Sequence, residues 1–490
     1  MPKHLTAFFM LAFLVGSCAP APASPTSPGT VTVIPTITPS PAPSATPTIT
    51  PYPSLQTQGP YLLFAHDKKT LTMMDADGRG RKQFQFPDDG YIGWDLNSSV
   101  SPDGKWLAYF TGSTDEPYDL AVNLFNLEDE RTLPIANLLA PGYPENLMQT
   151  TLNKDLCPDD IPDCQVGAIS NDFENAITRT IAWSPDSKTL GFAAQIDGPS
   201  SDVYLFSLEE RTIRRLVSDL ENVWHVTWSP NGNKVLYENF QSGNYMTREL
   251  YIADSNILTV QSPKAVTSGP FWGMEWIDDN LLLIFKSGDG GPTTNFRFIN
   301  IETEHSKMVW AHESEIFKIS SDLHGLIIAL PPEAVEYYEI PMEPGTYFVS
   351  VDGVPVKISE EIYELLNESG LSNSFFIRKD RSLYSIKIDG SSTQLVKENV
   401  DFLHSPRLSP NKKWLMVEGY DGLQLFSENL ELVKSWEIRN SEMIWRPDSA
   451  GLLLFMDTAM YYLPIPDGEP ILVEDCAPNY CSIRDYVWLP

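Results

Sequence analysis

Four of the five cysteines in this sequence form two close pairs, and thiols at such spacings can be oxidised or bind a metal. The pairs are Cys157 with Cys164 and Cys476 with Cys481. Neither pair has the spacing of a zinc knuckle, and no histidine lies beside either pair. Because each pair encloses a short loop rich in turn residues, we expect one disulfide within each pair.

Carboxylates around the first cysteine pair are a second candidate for chemistry, because calcium prefers oxygen ligands. They lack the alternating spacing and the closing glutamate of an EF-hand loop. A structural calcium ion is therefore a minor alternative, and we predict no cofactor and no metal site. The carboxylates are Asp155, Asp159, Asp160 and Asp163.

Sequence motifs of catalysis are absent from the chain. It contains no Gly-x-Ser-x-Gly pentapeptide, no His-Glu-x-x-His metal motif and no phosphate-binding glycine loop. Its histidines are scattered, and paired carboxylates such as Asp278 and Asp279 fall in turns, where solvation explains them. These features favour a binding protein over an enzyme, and no catalytic residue is predicted.

The N-terminus has the pattern of an export signal. Lys3 and His4 precede an apolar stretch over residues 5–15, which is too short to span a bilayer. Small residues then precede Cys18, a pattern that resembles the lipobox of bacterial lipoproteins. The resemblance implies a signal peptide over 1–17 and lipidation of Cys18. We expect an exported cell-envelope protein, attached to the outside of a membrane through its N-terminal lipid only.

A segment rich in Pro, Thr and Ser follows over residues 18–60. It contains no Asp, Glu, Lys or Arg, and it has too little apolar surface to offset the entropy of ordering. Its prolines bias it toward an extended conformation. We predict a disordered stalk over 18–60, acting as a cell-wall-crossing spacer or a passive linker, and a folded body over 61–490.

The chain is strongly acidic. It has 34 Lys and Arg against 65 Asp and Glu, and its formal net charge is −31. Phosphate binding needs clustered Lys and Arg, and no such cluster is visible. The charge balance argues against nucleic acid and anionic lipid as partners.

A phrase of the type Ser-Pro-Asp-Gly recurs along the body. It begins at Ser101, and related copies begin at Ser184, Ser229, Ser409 and, as Arg-Pro-Asp-Ser, at Arg446. Proline fixes φ and the following residues complete a reversal, so each copy predicts a hairpin turn between two apolar strands. Tryptophans recur at the end of the first strand, and we assign them to packing between units. They are Trp183, Trp228, Trp276, Trp445 and Trp488.

Degenerate copies at Ile277 and Ser320 extend the series, and successive copies are then separated by about 40–45 residues or twice that, which is typical of four-stranded propeller blades. An inserted disulfide loop over about 135–176 explains the first long gap. The second long gap contains the ambiguous region 361–397. This region resembles a further unit, but its first strand is not marked by a tryptophan or by the turn phrase. Residues 61–64 resemble a unit without its first strand, and residues 486–490 resemble a first strand alone. We predict an all-β fold, a single propeller of eight four-stranded blades, with seven to nine allowed, closed by the C-terminal strand joining the N-terminal blade.

Two stretches carry a resemblance to a known family. Residues 101–109, Ser-Pro-Asp-Gly-Lys-Trp-Leu-Ala-Tyr, and residues 74–78, Met-Asp-Ala-Asp-Gly, resemble the WD40-like Pro-Asp repeats of TolB-type β-propellers. The likeness extends over nearly all of 61–490 and implies the fold. Related blades serve translocation proteins, the propeller domains of prolyl-oligopeptidase-like enzymes and many surface lipoproteins. TolB has a separate N-terminal α/β domain, whereas here a stalk precedes the blades, which argues against a TolB-like role.

The starts of the innermost strands are candidate binding positions. In a propeller these starts surround one mouth of the central channel, and most of them here are aromatic or charged. Tryptophan faces could stack on sugar or peptide while the charges orient it. The alternative is that these tryptophans plug the channel or pack between blades. The predicted ligand-binding residues are Arg179, Trp224, Trp272, Glu315, His404 and Arg484.

Together these observations predict an exported, lipid-anchored, non-catalytic propeller that binds a protein or glycan at the cell surface. Two alternatives stay open. A hydrolase of sugars or peptides should show carboxylates converging at the channel mouth. A scaffold for protein–protein contacts in envelope assembly should show an apolar patch on the sides of the blades.

Overall fold

The computed structural model describes residues 53–490 with internal gaps. These residues belong to one compact unit, which begins at Tyr52. The predicted signal peptide, Cys18 and most of the predicted stalk lie outside the described residues. The gaps are residues 66–69, 85–86, 88, 94–95, 114–118, 141–179, 198–200, 218–222, 241–247, 263, 269–270, 289–290, 313–316, 321–324, 338–341, 370, 372, 401–405, 440–441, 457 and 477–485.

The first half of the described chain contains strands and one short helix. They are β1 (Tyr61–Ala65), β2 (Leu71–Asp75), β3 (Arg81–Gln83), α1 (Leu96–Ser99), β4 (Trp106–Thr111), β5 (Ala121–Asn126), β6 (Thr132–Asn137), β7 (Ala182–Trp183), β8 (Thr189–Ala194), β9 (Asp202–Ser207), β10 (Thr212–Arg215), β11 (Val223–Trp228), β12 (Lys234–Phe240), β13 (Arg248–Asp254), β14 (Lys264–Ser268), β15 (Phe271–Trp276), β16 (Leu281–Gly288), β17 (Gly291–Asn300) and β18 (Ser306–His312).

The second half continues in the same way. Its elements are β19 (Phe317–Ser320), β20 (Gly325–Leu330), α2 (Pro332–Tyr337), β21 (Gly345–Ser350), β22 (Pro355–Ser359), β23 (Glu364–Ser369), β24 (Ser374–Lys379), β25 (Ser382–Lys387), β26 (Thr393–Glu398), β27 (Arg407–Leu408), β28 (Trp414–Gly419), β29 (Gly422–Ser427), β30 (Leu432–Trp436), β31 (Glu442–Trp445), β32 (Gly451–Met456), β33 (Ala459–Pro464), β34 (Ile471–Asp475) and β35 (Tyr486–Leu489).

The strands form nine sheets, which are the blades of an all-β propeller. Blade 1 has the strand order β3-β2-β1-β35, and blade 2 contains β4, β5 and β6. Blades 3 to 9 take the next strands in groups of four, from β7–β10 in blade 3 to β31–β34 in blade 9. In blade 2, single bridges from Tyr91 to Phe110 and from Val100 to Leu107 occupy the edge where other blades have a first strand.

The predicted number of eight blades is wrong, although nine lies within the predicted range. The additional blade is blade 7, which fills the ambiguous region. Its first strand β23 has the sequence Glu-Leu-Leu-Asn-Glu-Ser, with neither the tryptophan nor the proline turn of the other copies. Without these markers the strand is polar and does not stand out in the sequence, yet Leu365 pairs with Ile377 of β24.

The C-terminal strand pairs with the N-terminal blade. Strand β35 is antiparallel to β1, with Leu62 opposite Trp488 and Leu63 opposite Val487. Arg81 of β3 also forms an ion pair with Glu474 of β34, at 2.5 Å between Nη1 and Oε2. Blade 1 therefore takes its innermost strand from the end of the chain and contacts blade 9.

Apolar side chains from facing sheets form the core between neighbouring blades. The cluster between blades 3 and 4 includes Leu205 and Tyr237. A corresponding cluster between blades 9 and 1 includes Phe64, Phe455 and Tyr486. Each blade therefore depends on its neighbours for burial, as expected for repeats that cannot bury their own faces.

The recurring phrase forms the same hydrogen-bonded turn wherever it begins with serine. The serine Oγ lies 2.6–2.8 Å from a side-chain oxygen two residues later, and it accepts a backbone N–H five residues later at 2.9–3.0 Å. In the fifth copy Arg446 replaces serine, and its Nε lies 3.0 Å from Asp448 Oδ1. The turn thus fixes the end of one strand and the start of the next.

The residue after the Asp or Asn of each turn is in the left-handed region. Glycine suits this conformation, and Gly104 and Gly232 have φ of 70° and 73°. Ser187 and Ser449 adopt it with φ of 63° and 64°. Each of these serines accepts, through Oγ, the N–H of the Asp or Asn in the preceding blade's turn, at 2.9 and 3.1 Å. The hydroxyl therefore joins adjacent turns.

The repeat tryptophans also join adjacent blades, in agreement with the packing role predicted for them. In three copies the indole N–H donates to a backbone carbonyl of the preceding blade, two residues before that blade's turn begins. The bonds run from Trp183 Nε1 to Ser99 O at 3.0 Å, from Trp228 Nε1 to Ala182 O at 2.9 Å and from Trp445 Nε1 to Arg407 O at 3.1 Å.

Replacing Trp183 with phenylalanine should destabilise the protein by about 1–2 kcal/mol more than the same change at Trp276. Both changes remove similar apolar area, but Trp183 loses a hydrogen bond to Ser99. The indole nitrogen of Trp276 is buried and has no hydrogen-bond partner in the described chain, so its removal should cost little beyond packing. Urea unfolding of the two variants measures the difference, and equal destabilisation would contradict the role of the bond.

Residues just before β1 are held against blade 1 by one carboxylate. Asp75 is 0% exposed, and it accepts the N–H of Gln56 at 2.8 Å and the N–H of Thr57 at 3.1 Å. The hydroxyl of Thr57 donates to the same carboxylate at 2.5 Å. We call these three bonds the Asp75 clasp. It fixes the backbone several residues before the predicted start of the folded body.

Candidate binding face

The two ends of the blades provide two faces. The upper face is the end of the propeller at which the first strand of each blade begins and the second strand ends. The turn face is the opposite end, which carries the turns that begin at Ser101, Ser184, Ser229 and Ser409. Of the predicted ligand-binding residues, Trp224 and Trp272 lie near the starts of first strands and therefore at the upper face.

The predicted residues are described only in part. Trp224 is the second residue of β11 and Trp272 is the second residue of β15, so the two occupy the same position in blades 4 and 5. The other four lie outside the described residues, and the complete ring stays a prediction. These four are Arg179, Glu315, His404 and Arg484.

Both tryptophans coincide with a β-bulge. The pairing of β11 with β12 shifts between Val223 and His225, which leaves Trp224 as the extra residue. The pairing of β15 with β16 shifts in the same way around Trp272. A bulge bends its strand and redirects a side chain, and bulges are over-represented next to active sites. The shared irregularity marks the upper face of blades 4 and 5.

A charged network lies in blade 3 next to this position. Arg215 Nη2 is 2.8 Å from Asp202 Oδ2, and Arg215 Nη1 is 2.8 Å from Asp197 Oδ2. The Tyr204 hydroxyl donates to the other carboxylate oxygen of Asp197. The Asp202 side chain is only 1% exposed. A carboxylate removed from water in this way is tolerated because a cation is paired with it.

The network is tied to the first of the two bulges. The N–H of Val223, directly before Trp224, donates to the carbonyl of Ser201 at 3.3 Å. Ser201 is itself buried and directly precedes Asp202. The charged network of blade 3 and the bulge of blade 4 are therefore neighbours on the upper face.

The charges of this network are fixed at neutral pH. Burial acts to raise the pKa of Asp197, but hydrogen bonds from Tyr204 and Arg215 outweigh it and hold that pKa below its ordinary value. Burial acts to lower the pKa of Arg215, but the carboxylates of Asp202 and Asp197 keep it raised. Burial and the bond to Asp197 raise the pKa of Tyr204. The network can orient a ligand, but none of these three groups exchanges a proton near neutrality.

Blade 4 contributes a buried phenol to the same interface. Tyr237 of β12 is 0% exposed, and its ring stacks on that of Tyr251 with centroids 5.7 Å apart. Burial, then Tyr251 and the carboxylate of Asp202, raise the pKa of Tyr237. Its hydroxyl has no hydrogen-bond partner within the described ranges. A buried hydroxyl in this state costs free energy, and a water molecule or a ligand group would satisfy it.

Two second strands of the propeller carry a buried glutamate. Glu238 is the fifth residue of β12 and is 7% exposed, and Glu418 is the fifth residue of β28 and is 1% exposed. Charged residues are rarely buried without a partner. A glutamate inside an otherwise apolar second strand is therefore a pattern that points to a polar interface.

The hydrolase alternative stays a prediction, because four of the six predicted mouth residues lie outside the described residues. Burial raises the pKa of Glu275 of β15, a property of general acids, and no second charged group contributes to that shift. Glycoside hydrolysis generally needs two carboxyl groups. The described residues contain no group of three His, Cys, Asp or Glu that could hold a metal ion.

Among the helices that are described, none is long and apolar enough to cross a membrane.

One of the paired cysteines is described. Cys476 is 7% exposed, and its Sγ lies 3.6 Å from the Tyr486 hydroxyl. Its predicted partner Cys481 lies outside the described residues, as do Cys157 and Cys164 and the carboxylates between residues 155 and 163. Both disulfides and the calcium alternative stay predictions.

An apolar patch lies on the outer side of blades 3 and 4. Ile257, Leu258 and Val260 are 43%, 81% and 51% exposed. Arg214 of β10 donates to the carbonyl of Ile257 at 2.9 Å, so this segment of blade 4 lies against the outer strand of blade 3. We call Ile257, Leu258 and Val260 the outer patch, and it is the kind of feature that the scaffold alternative requires.

Comparison with known proteins supports the fold and does not identify a family. No protein-family model matches the sequence, and no curated protein matches it. The crystal structure of a eukaryotic initiation factor is similar with a TM-score of 0.53 and 14% identity, over 88% of this chain and 98% of that chain. At this identity the likeness shows the β-propeller fold alone.

Two further solved structures are more distant. Dipeptidyl peptidase 4 from Porphyromonas gingivalis has a TM-score of 0.45 and 12% identity, over 79% of this chain and 60% of that chain. TolB from Acinetobacter baumannii has a TM-score of 0.30 and 15% identity, over 60% of this chain and 63% of that chain. Neither likeness is close enough to carry an argument about function.

Proposed function

We propose that this nine-bladed propeller is an exported, lipid-anchored, non-catalytic binding protein whose upper face takes a protein or glycan at the cell surface. The observation that carries the proposal is the bulged tryptophan position in blades 4 and 5 beside the network of Arg215 and Asp202. Aromatic faces and charges that are already fixed are what a binding site needs to orient a sugar or a peptide.

The proposed site favours binding over catalysis. Asp197 and Arg215 stay charged at neutral pH because each stabilises the charge of the other. Groups whose charge does not change recognise a ligand without exchanging protons with it. The phenols of Tyr204 and Tyr237 stay protonated because their pKa values are raised, so they serve as hydrogen-bond donors.

Replacing both Trp224 and Trp272 with alanine should weaken ligand binding about 10- to 100-fold, since an aromatic contact contributes about 0.5–1.5 kcal/mol beyond burial. The measurement is binding of residues 53–490 to arrays of cell-wall glycans and peptides, followed by titration of each hit. Trp414→Ala, on the turn face, is the control that should leave affinity unchanged. Equal loss in both variants, or unfolding of the double variant alone, would support a packing role instead.

The location is part of the same proposal. The lipobox-like residues before Cys18 and the stalk over 18–60 support a surface lipoprotein of the TolB-like, Pro-Asp-repeat type. Labelling cells with a fatty-acid analogue tests it, because Cys18→Ala should incorporate none. Incorporation equal to that of the unaltered protein would disprove lipidation at this residue.

We also infer that β35 closes the nine blades into a ring. Its pairing with β1 and the apolar cluster shared by blades 9 and 1 support this. A closed ring has no exposed sheet edge at its innermost strands and keeps the strand starts in fixed relative positions. Such rigidity suits a binding face assembled from several blades.

A scaffold function is a second candidate, favoured by the outer patch. Leu258 is 81% exposed, and apolar residues grouped on a surface mark protein contacts. Leu258→Asp should prevent site-specific crosslinking of a partner through this patch while glycan or peptide binding at the upper face is unchanged. Loss of both together would indicate a folding defect and leave the patch without a role of its own.

A further inference from the structure

A cavity lies between blades 3 and 4 at the turn face, away from the upper face. Its volume is about 210 Å³. It is bounded by the turns at Ser184 and Ser229, by Glu210 and by the segment around Asn256. For comparison, an engineered cavity of about 150 Å³ holds a benzene ring. The space between these blades therefore fits one six-membered ring with small substituents.

One turn residue beside the cavity differs from its equivalents at two other interfaces. Between blades 2 and 3, Ser187 Oγ accepts the N–H of Asp103, and between blades 8 and 9 Ser449 Oγ accepts the N–H of Asn411. These hydroxyls lie between neighbouring turns. At the same position of blade 4 the residue is Gly232, which lines the cavity and offers no hydroxyl to the turn of blade 3. A serine at this position would therefore add a hydroxymethyl group to the wall of the cavity.

The walls carry amides, hydroxyls and carboxylates around a small apolar floor. Trp228 and Leu205 are buried and form the apolar part. Asn256 Nδ2 donates to Asn233 Oδ1 at 3.1 Å, which places two amides side by side in one wall. Closely spaced amides and carboxylates above an apolar ring offer hydrogen bonds to hydroxyl groups and a surface for a ring of C–H groups.

The charge of the cavity points to a neutral ligand. Arg214 is the one cation among the described residues that line it, and its guanidinium already donates to the carbonyls of Ile257 and Ser255. Asp186 and Glu210 lie in the same lining and would repel an anion. An anionic sugar or a phosphate is thereby disfavoured.

We propose that this cavity is a second binding site, which takes one neutral sugar ring. The site is independent of the upper face, whereas it shares Leu258 with the outer patch. Its ligand is a single hexose unit, free or at the end of a chain, with its hydroxyls on the amides and carboxylates of the walls. Access from the turn face allows the propeller to hold two ligands at opposite ends.

The decisive variant is Gly232→Ser. It copies the residue present in blades 3 and 9, where serine adopts the same left-handed conformation. A Cβ at Gly232 would lie 3.4 Å from Pro185 Cδ, an ordinary contact, so the variant should fold. The matched control is Ser187→Gly, which makes the reverse change at the neighbouring interface. Thermal unfolding of both variants without sugar checks that each is folded.

The measurement is ligand-observed NMR and calorimetric titration of residues 53–490 with glucose, galactose, mannose and N-acetylglucosamine. We expect saturable binding of at least one sugar, weakened at least about tenfold by Gly232→Ser and unchanged by Ser187→Gly. The Trp224→Ala, Trp272→Ala double variant should bind the sugar as the unaltered protein does. Loss of binding in that double variant would locate the sugar on the upper face and overturn the proposal.

Two other results would also overturn it. One is the absence of saturable binding by all four sugars. The other is a rise in melting temperature with calcium chloride but with no sugar, removed by Gly232→Ser, which would make the cavity a cation site. Failure of the upper-face proposal affects neither result, because the two sites are tested with different variants.

Discussion

Removal of residues 486–490 should abolish the cooperative unfolding transition of the body. These residues contain β35, the innermost strand of blade 1, and Tyr486 and Leu489 are each 3% exposed. The ring of Tyr486 lies 5.5 Å from that of Phe64 and 5.1 Å from that of Phe455. Loss of one such aromatic side chain costs about 3–5 kcal/mol. When the hydrogen bonds lost along β1 are added, the total loss approaches the whole free energy of unfolding of a typical domain, about 5–15 kcal/mol.

Urea titration followed by tryptophan fluorescence and circular dichroism measures this effect. Val487→Thr is the control, because it keeps a β-branched residue opposite Leu63 and should unfold cooperatively. A truncated protein with the same midpoint and slope as the full-length protein would mean that β35 does not close the ring.

Replacing Arg215 with methionine should destabilise the protein by about 3–5 kcal/mol, the cost of removing the cation that is paired with a buried carboxylate. Asp202 is 1% exposed and lies 2.8 Å from the guanidinium. Methionine keeps most of the side-chain volume but supplies no charge. The change removes the cation while the carboxylate stays buried, and denaturant unfolding measures the loss.

Two further variants isolate this electrostatic cause. Arg131→Met breaks a pair with Asp129 whose side chains are 65% and 46% exposed, and it should cost at most about 1 kcal/mol. The double variant Asp202→Leu, Arg215→Met should recover much of the stability, because a buried ion pair can be replaced by apolar residues at little cost. A loss at Arg215 no larger than that at Arg131 would contradict the argument.

The propeller could be predicted because its turns are local. The Trp106 N–H donates to Ser101 Oγ, five residues earlier, so the sequence that forms the turn is contiguous. The same locality explains the error in blade number. Strand β23 is held by pairing and packing with β24 and has no turn phrase, so residues 364–369 contain nothing that marks them.

The binding face could be predicted only as a set of positions. Counting back from the repeat tryptophan locates Trp224 and Trp272 in their strands, but the bulges depend on register with β12 and β16. The carboxylate of Asp202 in blade 3 contributes, after burial and Tyr251, to the raised pKa of Tyr237 in blade 4. Contacts between residues so far apart in sequence follow from the packing of blades, which no local pattern encodes.

The Asp75 clasp lies where mechanical load would enter a protein that is pulled by the proposed stalk. Tension along the chain first reaches Pro53, whose carbonyl accepts the N–H of Arg81 at 2.8 Å, and then Gln56 and Thr57, so this bond and the three bonds to Asp75 bear it before β1 does. Behind them β1 has β2 on one edge and β35 on the other. Shear must break two rows of hydrogen bonds to extract that strand. With the proposed lipid tether in place, this attachment would resist flow and drag at the point where the tether meets the propeller.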